Sequence, residues 1–168
     1  CGILFEASKR AKAAGVLVSF DVNYRARMWT LEDAKGTLLR LINEADIVFV
    51  RQHDAHLLFG TTDPEGSLAA IREHSSARWV VVTDGVAGAH GWLDGVTRHA
   101  PAEQVQIIDR LGAGDAFAAG FLHCLLLGKP VDALSYATML AALCLAQDGE
   151  QVVTSRAQLE RAIASPRT

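Results

Sequence analysis

The residues best suited to chemistry sit in "IIDRLGAGDAFAAGFL", residues 107–122. A strand-like run leads into Gly112, Ala113 and Gly114, then Asp115, then an apolar stretch that reads as a helix. A helix N-terminus leaves backbone N–H groups without intrahelical acceptors and carries a partial positive charge. Gly112, Ala113 and Gly114 let such amides converge on an anion, phosphate above all. An aspartate in the same place repels phosphate and so needs a task of its own. Taking the proton from a hydroxyl that attacks the phosphate is the natural one. Amides for the transferred oxygens and a base for the nucleophile together form an adequate set for phosphoryl transfer. The plainer alternative is that Asp115 caps the helix, since acids favour the first turn.

Other phosphate motifs fail. G-x-x-x-x-G-K-S/T is absent, so this is not a P-loop protein, and Gly112-x-Gly114 continues to Phe117, which breaks the dinucleotide fingerprint. "DGVAGAHG" is glycine-rich after a strand but leads into a hairpin, which leaves it the role of a loop lining a nucleotide. His53 and His56 flank Asp54 at a spacing that metals use, yet on a polar helix they read as solvated side chains. His-Glu-x-x-His is absent, which excludes a zincin. His123 beside Cys124 on an apolar helix reads as a satisfied core histidine. Trp29, Trp79 and Trp92 read as packing residues, with Trp92 the one whose place in a hairpin could bring it to a ligand. Asp21 and Asn23, at a strand end, are substrate-side groups or turn formers.

These residues need elements to hold them. "EASKRAKAAG" has helical periodicity and stops at Gly15. Residues 16–20 read as a buried strand leading to Asp21 and Asn23. "TLEDAKGTLLRLINEA" is a helix with Thr30 as N-cap and acids in its first turn. "DIVFV" is a strand, "QHDAHLLFG" a short helix closed by Gly60, and "DPEGSLAAIREHS" a helix with proline near its start. "ARWVVVTDG" is a further strand, and "GAHGWLDGVTRHAP" a hairpin about Asp94-Gly95. "VQIID" reads as a strand. Two helices, apolar on most faces, then follow, and "SRAQLERAIAS" forms a last one. Strands alternating with helices, with unbroken apolar strands, indicate a three-layer α/β/α sandwich around a mostly parallel sheet, spanning residues 1–168 as one domain without linker or repeat. Ligands of such sheets bind beyond the carboxyl ends of the strands, where Asp21, Thr83-Asp84-Gly85 and Asp109 fall.

Composition narrows the class. The 168 residues are 50% hydrophobic and 21% charged, an ordinary globular balance. A net charge of −3 with no basic helix or tail argues against a nucleic-acid partner. The longest apolar stretch, near Ala116 to Leu127, is too short for a membrane span and is interrupted by Gly120 and His123. Cys124 and Cys144 lie in apolar segments and, with Cys1, make an odd, scattered set, which points to buried thiols in a reducing compartment. No signal peptide is visible, so the expected location is cytoplasmic. The opening "CGILFEASKRAKAAG", without Met, reads as a start in the middle of a fold.

"IIDRLGAGDAFAAGFL" resembles the C-terminal signature of ribokinase-like (PfkB-type) sugar kinases, D-x-x-G-A-G-D-x-F. "SFDVNYRARMW", "DIVFVRQHDAHLLFG", "VVVTDGVAGAHGW" and "AALCLAQDGEQVVTSRAQLE" follow the family's order. The resemblance covers nearly the whole chain but only the C-terminal half of the usual family length, without the N-terminal half and its β-strand lid. It implies ATP and Mg²⁺ as partners, K⁺ in many relatives, and a small sugar or sugar acid as acceptor. Family dimers commonly pair through the lid, so a homodimer of the full-length protein fits the resemblance. "FDVNYR" with "DRLGAGDAF" looks most like 2-keto-3-deoxygluconate kinases, with fructokinases sharing D-x-N-x-R.

The resemblance makes Asp115 the catalytic base and Gly112, Ala113 and Gly114 the anion hole. Asp109 matches an acid near a monovalent-cation site, to which the Leu111 carbonyl could contribute. Gly85 and Gly88 match the loop approaching the nucleotide, with Thr83 beside it. Arg25 matches an arginine on the substrate and phosphate side, joined there by Asp21 and Asn23. Thr138 stands where many relatives carry an adenine-side asparagine. The family's metal-associated N-x-x-E falls on Arg51-Gln52-His53-Asp54. Asp54 is expected to organise the water shell of Mg²⁺, and Arg51 to contact phosphate. Lacking the family's other half, the chain is expected to be poorly active alone and to expose apolar surface along a sheet edge.

Overall fold

The computed structural model describes residues 2–165. They divide into two compact units, one running to Asp84 and including His90–Arg98, the other holding Gly85–Ala89 and the described residues from His99 onward.

The first unit opens with α1 (Gly2–Ala13), β1 (Ser19–Asp21), α2 (Leu31–Glu44) and β2 (Ile47–Arg51). It continues with α3 (Gln52–Phe59), α4 (Pro64–His74) and β3 (Trp79–Thr83). Strands β1, β2 and β3 are parallel neighbours, in register at Asp21 with Phe49 and at Arg51 with Thr83. β2 and β3 are unbroken apolar runs because both their faces are covered: Val48, Val80, Val81 and Val82 are wholly buried. α2 supplies a buried stripe of Ala34, Leu38 and Ile42, at the spacing that keeps side chains on one helical face. As expected, Thr30 caps α2 by accepting the Asp33 N–H, Gly60 ends α3 with φ 74°, and Pro64 follows the capping Asp63 of α4.

The hairpin also forms. β4 (Ala89–Leu93) and β5 (Val96–Ala100) complete a five-stranded sheet in the order β1-β2-β3-β4-β5. Their two-residue turn has φ 49° at Asp94 and 94° at Gly95, the positive pair whose twist matches the flanking strands. So tight a link joins only antiparallel strands, which makes the sheet mixed. Trp92 is a packing residue: it lies against the first unit's core, under the Arg72 guanidinium at 3.4 Å from the ring centroid.

One strand is shorter than its sequence suggests. β1 begins at Ser19, and Val16 and Leu17 are more than half exposed rather than buried. The physical reason lies in its neighbours: among the described residues β1 pairs with β2 alone, leaving its other edge without a strand to cover it. Val18 is turned to a different use, its N–H donating to the Asp46 carboxylate at 2.8 Å.

The second unit is helical. α5 (Ala113–Leu126), a 3-10 turn at Pro130–Asp132, α6 (Ala133–Leu145) and α7 (Arg156–Ala164) form it, with a capping box of Ser155 and Gln158 starting α7. α5 and α6 meet at Gly120, where a Cβ would stand 2.6 Å from the Tyr136 carbonyl oxygen; only glycine permits that approach. Residues 105–109, expected as a strand, are irregular. A strand needs a ladder partner, and here the Ile108 and Asp109 amides donate instead to the Leu145 carbonyl at the end of α6, at 2.7 and 3.3 Å. Ile107 and Ile108 are left exposed as a result.

Cys124 and Cys144 are buried free thiols, while Cys1 lies outside the described residues. Burial pushes the Cys124 thiol up to about 11. His123 departs from expectation, since its Nε2 is buried without a hydrogen-bond partner among the described residues. No described helix is long and apolar enough to cross a membrane.

Candidate active site

In the second unit the Gly-Ala-Gly-Asp turn becomes the start of α5. Gly112 is the N-cap, held left-handed at φ 75°, and it makes no side-chain capping bond. A Cβ there would stand 2.5 Å from the Glu150 carbonyl oxygen, so glycine is required twice over, by φ and by space. The contact with Glu150 is not legible in the sequence, because the two residues lie on either side of both α5 and α6. Gly114 is different: its φ is not positive, and a Cβ placed on it would meet nothing within 4 Å. Packing gives no reason for that glycine.

Asp115 is the third residue of α5, exposed, with no hydrogen bond or ion pair among the described residues. The capping alternative therefore has no bond to rest on here. What remains is an open carboxylate beside the helix-start amides of Ala113, Gly114 and Asp115, which have no intrahelical acceptor.

Asp109 holds the approach to this turn. Its Oδ1 accepts the Leu111 N–H at 3.0 Å and its Oδ2 the Gly149 N–H at 3.2 Å. The Leu111 amide is the main reason its carboxyl sits below the ordinary value of 3.8; partial desolvation opposes the shift, and the Gly149 and Arg110 amides reinforce it. A carboxyl with a lowered folded pKa stabilises the fold fully above its unfolded value and loses that contribution as pH falls through the folded one. We therefore expect the Leu111 and Gly149 amides to lose exchange protection as pH falls through that lowered folded value, beneath the ordinary 3.8. Asp109→Asn should remove that acid dependence, which amide exchange followed by NMR would read. Cys144 meanwhile donates its thiol to the Leu111 carbonyl at 3.3 Å, the oxygen expected to help hold a monovalent cation.

The first unit gathers its own polar set at the carboxyl ends of three parallel strands. Asp21 ends β1, Arg51 ends β2 and Thr83 ends β3. Beyond β1 the chain turns through Asn23, at φ 37°, to Arg25, both exposed. The ladder runs one bond past β1, from the Val22 N–H to the Phe49 carbonyl at 2.9 Å, and the Tyr24 hydroxyl donates to the Trp29 carbonyl at 3.2 Å.

Residues 2–156 match the pfkB family carbohydrate kinase. The chain belongs to this family. It is 30% identical over 160 residues to 2-dehydro-3-deoxygalactonokinase of Haloferax volcanii, covering 94% of this chain and 50% of that protein. Among solved structures, a fructokinase double mutant from Vibrio cholerae O395, in fructose-, ADP- and potassium-bound form, aligns with TM-score 0.85 and 30% identity over 95% of this chain and 54% of that one. The 2-dehydro-3-deoxygluconokinase of Thermotoga maritima aligns with TM-score 0.84 and 26% identity, over 97% of this chain and 54% of that one. The chain thus spans about half the length of these relatives. Its fold is the corresponding part of the ribokinase-like α/β sandwich.

Two expected positions look different in three dimensions. Asp54, expected to organise magnesium-bound water, has a side chain only 1% exposed, and both its oxygens are taken by Arg51, through Nε at 2.8 Å and NH2 at 2.9 Å. A carboxylate so covered does not fit a metal-water role. Thr138 faces inward, 5% exposed in the middle of α6, with its hydroxyl donating to the Ser135 carbonyl at 3.3 Å. A buried hydroxyl engaged within its own helix offers adenine no donor.

The loop expected to approach a nucleotide is a 3-10 turn, Gly85–Ala87. Gly85 is left-handed at φ 54° with open space around it, whereas Gly88, at φ 97°, packs directly on the backbone of Ala100, Pro101 and Ala102. Gly88 is thereby explained by packing alone. His56 donates from Nδ1 to the Thr61 carbonyl at 2.8 Å, and no group of three or more potential metal-ligating side chains exists among the described residues.

Proposed function

We propose that this chain supplies the nucleotide-binding and catalytic portion of an ATP-dependent kinase whose acceptor is a sugar acid, 2-keto-3-deoxygluconate foremost. One observation carries the reading: Asp115 is an exposed, unpartnered carboxylate in the first turn of α5, behind a glycine cap that leaves the helix amides open. In the proposed reaction a sugar hydroxyl oxygen bonds to the γ-phosphorus of ATP, its proton passes to the Asp115 carboxylate, and the bond to the bridging oxygen breaks to release ADP. Charge on the transferred oxygens is met by the amides at the start of α5. Mg²⁺ would arrive with the nucleotide, neutralising its phosphates. Arg25, an exposed guanidinium without an ion pair among the described residues, supports an anionic acceptor, because a fixed planar cation binds a carboxylate through two hydrogen bonds. The similarity to the Haloferax kinase supports the same choice.

Fructose is the second reading, favoured by the match to the Vibrio cholerae fructokinase and by Asp21-x-Asn23-x-Arg25, the pattern in which the sequence resembles fructokinases. The test is ADP formation by the full protein with 2-keto-3-deoxygluconate, 2-keto-3-deoxygalactonate, fructose and ribose compared. We expect kcat/KM to be highest for a keto-deoxy acid. A preference for fructose would replace the substrate assignment, and saturable ATP binding without sugar-dependent ADP release would overturn the kinase reading for this chain.

A further inference from the structure

The Arg51–Asp54 pair has a geometry that neither residue alone suggests. Arg51 is the residue before α3, and Asp54 is the third residue inside it, fully buried. The guanidinium grips both carboxylate oxygens, and the same NH2 group also donates to the backbone carbonyl of Tyr24 at 3.1 Å. Tyr24 lies between Asn23 and Arg25. The turn that carries those two exposed side chains is thus held at three points: Val22 to Phe49, Tyr24 to Arg51, and the Tyr24 hydroxyl to Trp29. Asn23 needs such restraint, because a non-glycine residue at positive φ persists only where its surroundings impose it.

We infer that the Arg51–Asp54 pair is a metal-independent clamp that positions Asn23 and Arg25 for the acceptor, in place of a metal-organising acid at this point of the chain. Arg51 is a positioning residue in this scheme. It does not touch the reacting atoms. An arginine suits the role because its planar fork reaches two carboxylate oxygens and a carbonyl at once, which a lysine ammonium on a flexible stem does not hold in fixed geometry. The pair also protects itself, since Asp54 without Arg51 would be a buried charge with no partner. That the positioned groups serve a sugar acid rests on the function proposed above; the clamp itself does not.

The test uses the full protein with three variants. Arg51→Met with Asp54→Leu removes both charges together and so avoids stranding either one. Arg51→Lys keeps the charge but loses the fork, and Asp54→Asn keeps the shape but loses the acid. For the double variant we expect KM for the sugar acid to rise about tenfold or more while KM for MgATP stays within about twofold, a loss of roughly 1.4 kcal/mol in acceptor binding. Arg51→Lys should fall between wild type and the double variant, and it provides the comparison if the double variant does not fold. Amide exchange at Asn23, Tyr24 and Arg25 should quicken in the same order. Wild-type protein without nucleotide should show no Mn²⁺ binding that Asp54→Asn abolishes.

Three results would overturn the clamp: Mn²⁺ bound through Asp54, a rise in the MgATP KM with the sugar KM unmoved, or unchanged exchange at residues 23–25 in both Arg51 variants. If no sugar is turned over at all, the proposed function has failed, and the exchange and Mn²⁺ results still decide the clamp.

Discussion

Asp115→Asn is expected to lower kcat for sugar phosphorylation by roughly 10²–10⁴-fold, the usual contribution of a positioned general base. That range corresponds to roughly 3–5 kcal/mol of transition-state stabilisation. KM for MgATP should change little, because the amide keeps the side chain's shape and removes a charge that repels phosphate. The fold should survive: Asp115 is exposed and makes no hydrogen bond or ion pair among the described residues, so the loss is limited to its interaction with the helix dipole, about 0.3–1 kcal/mol. Steady-state kinetics and thermal melts on the same two proteins check both parts. A variant that melts lower but turns over normally would make Asp115 a helix residue and nothing more.

The second large effect separates Gly112 from Gly114, which share one turn but differ in physical role. Gly112→Ala should destabilise the second unit by about 2 kcal/mol or more, since a side chain at φ 75° is strained and its Cβ meets the Glu150 backbone. A backbone carbonyl cannot swing aside as a side chain would, so the cap itself must move, and nucleotide affinity should fall with it. Gly114→Ala should do the reverse to stability. With open space at its Cβ and an ordinary helical position, alanine is neutral or stabilising by up to about 1 kcal/mol. Yet its methyl group would stand where phosphate oxygens approach the helix amides, and we expect MgATP affinity to drop about tenfold, or roughly 1.4 kcal/mol. Denaturant melts and nucleotide titrations on both variants give the result. If Gly114→Ala binds nucleotide as well as wild type, the amides of α5 are not the phosphate cradle.

Much of this protein is legible in one dimension because it is local. The Thr30 cap, the Asp94-Gly95 turn, Gly60 and the Ser155–Gln158 box each depend on residues a few positions apart, and all are found where side-chain chemistry and backbone conformation require. The D-x-x-G-A-G-D-x-F motif is local as well, which is why the family can be read from it. Periodicity alone also marks the apolar strands β2 and β3, since burial on both faces leaves no other pattern.

Tertiary structure decided whatever depends on a partner distant along the chain. Residues 105–109 have strand-forming side chains but no ladder neighbour, and the Leu145 carbonyl claims two of their amides. Val16 and Leu17 are apolar enough to be buried, yet β1 has a strand on only one side among the described residues. Thr138 reads as an available hydroxyl, and packing turned it inward. Asp54 is the sharpest instance. Its sequence position suggests a metal-facing acid, while the fold brings a guanidinium onto both its oxygens and ties the pair to the Tyr24 carbonyl, 27 residues from Arg51. Residue type sets what a side chain is able to do. Which neighbour reaches it first is set only when the chain closes on itself, because that contest is between groups that sequence separation keeps apart.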